Sequence, residues 1–307
     1  MKLKNKKNKN LQEVNEETKF TDADYPGLYQ CADIASQESQ KFYYGILISY
    51  LVSLIMISMI PLLNLPLNTN NFSLALLFII SLALMIWLVV KKPEESWYNG
   101  RAVAESVKTR TWRWMMKADP YNNESEDYSS RLFIQNLKEI LKQNEKLGEL
   151  LGNDSALSKP LSDKMKAIRA SGIQERLEYY IKNRILEQSN WYMEKTILNR
   201  NRTRFWFIIL VSVHFLAIVF LLYQIMDNTI TFPIEFLTVC AGAVISWIQT
   251  KRYRQLAAAY TLAVHEITLI KYESDGIKDE IRLSEFVINS ENAFSREHTQ
   301  WVARKSN

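Results

Sequence analysis

Five residues in one apolar run carry the pattern with the most chemical content. Glu235, Thr238, Gly242, Ser246 and Gln249 recur at spacings of three and four within the stretch from about Pro233 to Thr250. That spacing puts them on one face of a helix. Such a face serves one of two ends. Small residues at every fourth position let two helices approach closely. Alternatively the stripe meets water once several copies assemble, and Glu235 then forms an acidic ring at the mouth that favours cations. In the first apolar run Gly45, Ser49 and Ser53 repeat the pattern, so Ser49 and Ser53 join the pore-lining or helix-packing candidates. His214 lies within a third apolar run. An ionisable group there is a functional candidate, and a neutral histidine packed against polar neighbours is the plain alternative.

Other chemistry is missing from the chain. It has no Walker loop, glycine-rich dinucleotide turn, HExxH helix or nucleophile elbow, so no enzyme activity is expected. Arg296-Glu297-His298 brings acid and base together, but beside Trp301 on an amphipathic stretch where surface or packing roles suffice. Three scattered histidines make no metal cluster, and no cofactor is expected. Cys31 sits in a polar stretch and Cys240 in an apolar run. A disulfide between them would join two compartments, and none is expected. Arg101, Arg110, Arg113, Arg184 and Lys195 lie on polar segments near the apolar runs. They suit a phosphate, whether free or on a lipid headgroup. No nucleic acid duplex is expected as a partner.

The elements that hold these residues follow from hydropathy. The 307 residues carry a net charge of +5, and the near-neutral average hides blocks of opposite character. About 18 apolar residues suffice to cross the hydrocarbon core. Runs at about 42–63, 72–90, 205–226 and 233–250 meet or approach that length, and no Lys, Arg, Asp or Glu interrupts the first three. The expected fold class is an all-α membrane protein: four transmembrane helices in two hairpins, continuous with a cytoplasmic helical bundle. Lys41, Lys91-Lys92, Arg200, Arg202, Arg204, Lys251, Arg252 and Arg254 flank the runs, whereas residues 61–71 carry no charge and 227–232 one acid. Positive flanks stay inside, so both connections face outward and both termini are cytoplasmic. Residues 1–24 read as a basic, disordered tail near an anionic leaflet. A first two-span module covers 25–160 and a second 161–307.

Outside the membrane, helices are expected over about 94–117 and 129–151. A third begins at Ser162. Its stripe of Ile173, Leu177, Ile181 and Ile185 has no breaker before the third run, so one helix is expected from Ser162 to Met226. The fourth run is expected to continue to Ser274, before Asp275-Gly276, and a last helix spans about Lys278 to Ala303. The pattern reads twice: polar helix, hairpin, then an aromatic ahead of small residues. Trp97-Tyr98 precede Ala102 and Ala104, and Tyr253 precedes Ala257 to Ala259. Both hairpins enter and leave on one side. That is a parallel repeat, which speaks against the inverted repeat of many transporters.

Trp97-Tyr98-Asn99-Gly100-Arg101-Ala102-Val103-Ala104-Glu105-Ser106, with Lys108 and Trp112-Arg113, resembles the stretch after the second span in the SLATT family. Arg184 with Gln188, Trp191-Tyr192 and Lys195 resembles the second module of its tandem members, as does the segment from Glu291 to Trp301. The resemblance implies two-span membrane modules found beside nucleotide-signalling genes in prokaryotic conflict systems. It further implies a pore-forming or membrane-disrupting effector triggered during phage infection, and it brings no catalytic residues. The expectation is a homo-oligomer in the bacterial inner membrane, in contact with lipid. A nucleotide second messenger or a cytoplasmic signalling partner would open it. A non-conducting scaffold that recruits a signalling enzyme, and a small-solute transporter, are the other readings.

Overall fold

A computed structural model describes residues 19–123, 125–144, 159–226 and 233–303, and among these residues there are ten α-helices and no strand. The first apolar run lies in α1, Gly27–Met59, which a 3-10 turn, Ile60–Leu63, prolongs. Asn64 then adopts a left-handed conformation (φ 49°) and reverses the chain. α2, Leu67–Lys91, begins earlier than the expected 72, because the Pro66 carbonyl accepts the Asn70 N–H at 2.8 Å.

The ends of α2 and of the helix formed by the fourth run use one device. After α2, Lys92 turns left-handed (φ 43°), its N–H reaching the Leu88 carbonyl at 3.2 Å, and α3, Pro93–Met115, starts at once. The fourth run forms α8, Ile234–Lys251, followed by Arg252 (φ 50°), whose N–H reaches the Ile248 carbonyl at 2.9 Å, and by α9, Tyr253–Glu273. The expected unbroken helix to Ser274 is therefore corrected to two, because a left-handed residue cannot carry the helical ladder onward. Near each exit a tryptophan meets an aromatic from the preceding run. Trp87 lies 4.8 Å from Phe42, and Trp247 lies 6.2 Å from Trp206. The repeat in the sequence is thus also a repeat in structure.

The helix expected from Ser162 to Met226 also divides. α5, Asp163–Ala170, is capped by Ser162, whose Oγ accepts the Met165 N–H at 3.3 Å. Ser171 and Gly172 are extended, and the Gly172 N–H donates to the Glu175 carboxylate at 3.3 Å, which starts α6, Ile173–Tyr180, afresh. From Ile173 the helix is unbroken. It passes through a π turn, Ile181–Ile185, into α7, Leu186–Met226. α4, Glu126–Gln143, begins ahead of Ser129, since Ser125 Oγ accepts the Tyr128 N–H at 3.3 Å. The expected end of α4 at Leu151, residues 1–18 of the basic tail and the connection at 227–232 lie outside the described residues. α10, Glu280–Ala303, is the last helix.

Three helical stretches among the described residues are long and apolar enough to cross a membrane: Gly27–Leu63, Leu67–Met115 and Ile173–Met226. α8 is not among them; its 18 residues include Glu235, Gln249 and Lys251. The apolar side chains of the three face outward: Ile79 is 65% exposed and Phe215 67%. So much uncovered apolar surface marks a protein that lipid or other protein surrounds.

The helices form two compact units. One gathers the described residues of Met1–Ser36, Tyr98–Trp191 and Ala263–Asn307, the other Gln37–Trp97 and Tyr192–Leu262. The first has its own core, in which Trp112, Trp114, Met115, Met116, Tyr121, Phe133 and Val287 are fully buried. Gly100 sets a close helix contact there. A Cβ on it would stand 3.0 Å from the Ala32 carbonyl oxygen and 3.1 Å from the Ser36 backbone nitrogen. Gly100→Ala should therefore lower stability by about 1–3 kcal/mol. Gly45→Ala, whose Cβ would meet nothing within 4 Å, should leave it equal or slightly higher. Thermal melts of the two variants check this contrast.

Candidate functional site

In the second unit the five stripe residues of α8, Glu235, Thr238, Gly242, Ser246 and Gln249, are all exposed in the protomer. Leu237 and Ala241 are buried instead, and mark the face that packs within it. Thr238 Oγ1 donates to the Ile234 carbonyl at 3.0 Å, and Ser246 Oγ to the Gly242 carbonyl at 2.9 Å. Their donors are thus satisfied by the helix itself, and their acceptor capacity remains. A Cβ on Gly242 would meet nothing within 4 Å. On α1, Ser49 is exposed and donates to the Gly45 carbonyl at 3.0 Å, whereas Ser53 is buried and donates to the Tyr50 carbonyl at 2.7 Å. His214 on α7 is exposed, with Nδ1 2.9 Å from the Leu210 carbonyl. The structure therefore gathers the α8 residues on one outward face and turns Ser53 inward.

In the first unit the π turn presents Arg184 to Glu291 on α10. Their side chains are 1% and 0% exposed. Arg184 Nε donates to Glu291 Oε1 and Nη2 to Oε2, each at 2.8 Å. The Tyr180 hydroxyl donates to Oε1 and Thr109 Oγ1 to Oε2, each at 2.9 Å. The guanidinium carbon also lies 4.8 Å from the Phe294 ring centroid. Burial works to lower the pKa of Arg184, but the Glu291 carboxylate outweighs it and holds the guanidinium above its ordinary value. Burial pushes the Tyr180 hydroxyl well up. Of the guanidinium nitrogens Nη1 alone has no acceptor.

Two more buried arginines cap the C-terminus of α3. Arg176 Nη1 donates to the Met116 carbonyl at 2.9 Å, and Nη2 meets Glu280. Arg169 donates to the carbonyls of Trp114 and Tyr121. Both satisfy carbonyls at and just beyond the end of α3, where the macrodipole favours cations. The other basic candidates are engaged too. Arg101 lies 3.3 Å from Glu105, Arg113 donates to Asn292 Oδ1 at 2.6 Å, and the Arg110 charge acts on the Tyr121 hydroxyl. Lys195 is half-buried on α7.

Two family descriptions match the chain. Residues 26–177 match SMODS and SLOG-associating 2TM effector domain 3, and residues 180–301 match SMODS and SLOG-associating 2TM effector domain 1. The chain belongs to the SLATT family. No curated protein and no solved structure matches it. SLATT domains are two-transmembrane effectors of antiphage conflict systems, and this chain carries two in tandem. The Glu291 network spans the tandem: Thr109 comes from the first SLATT domain, and Tyr180, Arg184 and Glu291 from the second. Glu291 was not among the functional positions expected from the sequence. Its signal was an acid at helical spacing from Leu283, Val287 and Phe294, on a buried face of α10 that also holds Ser290.

Proposed function

We propose that this tandem SLATT chain assembles in the bacterial inner membrane into a cation-passing pore, lined by the α8 stripe and opened by a cytoplasmic signal. On this reading α8 is a fourth span. Its 18 residues rise about 27 Å, close to the hydrocarbon thickness of about 30 Å. Both hairpins then face the same way, with the termini in the cytoplasm. The observation that carries the reading is the outward exposure of Glu235, Thr238, Gly242, Ser246 and Gln249 on a helix of that length. Polar groups turned to lipid are costly, so this face meets water or another copy. Four helices of one protomer enclose too little space for water, so several copies must supply the walls. Glu235, in the first turn of α8, then rings the outer mouth and favours cations.

The signal, a nucleotide or a partner protein, acts on the first unit. It passes along α1, α3, α6–α7 and α9, each continuous helix having residues in both units. Reconstitution in liposomes tests the reading. Wild-type protein should release potassium faster than chloride, and Glu235→Gln should erase much of that preference while leaving the melt unchanged. A sealed bilayer at every protein density, with capture of a soluble partner, would replace the pore by a scaffold.

A further inference from the structure

The base of the second hairpin carries a charge arrangement that the first lacks. Lys251 ends α8, and its Nζ lies 3.1 Å from the centroid of the Tyr44 ring and 4.8 Å from that of Trp247. Trp247 stands 5.9 Å from Tyr44 and 6.2 Å from Trp206 on α7. Aromatic faces hold an ammonium, but they are no substitute for the acceptors its three N–H groups seek. The charge that acts on Lys251 is a second cation, Arg202, one turn ahead of Trp206. No carboxylate among the described residues forms an ion pair with either. The indole N–H groups of Trp206 and Trp247 are buried and reach no acceptor. Buried donors in native proteins nearly always find one.

At the first exit Lys91 stands where Lys251 does, and acids follow it closely: the next residue, Lys92, pairs with Glu95 at 2.9 Å, and α3 opens with Glu94 and Glu95 in its first turn. α9 opens with no acid, having Arg254 and Gln255 there instead. Two cations acting on one another, two indole donors without acceptors and the missing acids together call for an anion with several oxygens.

We propose that Arg202, Lys251 and the indole N–H groups of Trp206 and Trp247 bind a phosphate group at the base of the second hairpin. Phosphate oxygens accept from both cations and both indoles, and the negative charge offsets the repulsion between Arg202 and Lys251. Tryptophan and cations at the end of a span lie at headgroup depth. The phosphate therefore belongs either to an anionic phospholipid or to a free cytoplasmic species.

The test uses full-length protein in detergent and two probes. Native mass spectrometry counts phosphatidylglycerol retained by the protein, with phosphatidylcholine as the control. Intrinsic tryptophan fluorescence follows a titration with inorganic phosphate in lipid-free protein. At least one probe should bind the wild type, and Arg202→Gln or Lys251→Gln should weaken it roughly ten- to a hundredfold, as expected for a charge-assisted bond. Lys251→Arg should restore binding, which keeps the test decisive where Lys251→Gln misfolds, and Lys92→Gln should change nothing. Trp206→Phe keeps the ring, removes the donor and should weaken binding several-fold. Retention of phosphatidylglycerol alone assigns a lipid; a response to inorganic phosphate assigns a free phosphate. Equal binding by wild type and the Arg202 and Lys251 variants, or no binding of either probe to wild type, overturns the site.

Discussion

Glu291→Ala should destabilise the protein by about 3–5 kcal/mol, the range for stranding one member of a buried ion pair. The Arg184 guanidinium is 1% exposed, so without Glu291 it has neither water nor counter-charge. Tyr180 and Thr109 lose their acceptor in the same step. Arg184→Met combined with Glu291→Leu removes both charges and should recover most of the loss, because the cost lies in the orphaned charge rather than in the missing bond. Thermal unfolding of the detergent-solubilised protein reads both. A Glu291→Ala protein that melts with the wild type would remove the network from the account.

The pH dependence of this pair has a definite sign. Arg184 is held above its ordinary value by the Glu291 carboxylate, so its contribution is fully present below that ordinary value. It is lost only as the pH rises through the still higher folded value. The Arg184 contribution should therefore not change across the neutral range.

Gly242→Leu should abolish leakage while leaving the protomer folded. Gly242 lies midway along the α8 stripe, and a Cβ there meets nothing within 4 Å. Leucine is also a better helix former than glycine, by roughly 0.6–0.9 kcal/mol. The substitution therefore has no reason to unfold the chain, and its effect must arise where copies meet or where water passes. Dye release from liposomes, with the melt as a control, separates these. Release at the wild-type rate would place the Gly242 face in lipid.

The three helices long and apolar enough to cross a membrane were legible because runs such as 205–226 contain no charge and exceed the length a membrane demands. The stripe was legible from its spacing alone, but its exposure in the protomer depends on how α8 packs and could not be read from spacing. The helix break at Arg252 gave no glycine or proline signal, since a long basic residue adopts the left-handed conformation there, whereas Pro93 marks the break at Lys92. Ser171-Gly172 with Glu175 did carry a capping signal, which the apolar stripe from Ile173 outweighed. The Arg184–Glu291 pair joins residues 107 positions apart. No local periodicity reveals a contact of that range, although the burial of Glu291 on an apolar helix face is its trace.

Cysteine accessibility along α8 tests the pore most directly. With Cys31 replaced by alanine and Cys240 by serine, single cysteines are placed in turn from Glu235 to Gln249 in the assembled protein. Each is then offered a charged, membrane-impermeant thiol reagent. The account predicts fast reaction for Glu235→Cys, Thr238→Cys, Gly242→Cys, Ser246→Cys and Gln249→Cys, with Leu237→Cys and Ala241→Cys protected. Uniform protection along the helix, or reactivity centred on the Leu237 and Ala241 face, would contradict it.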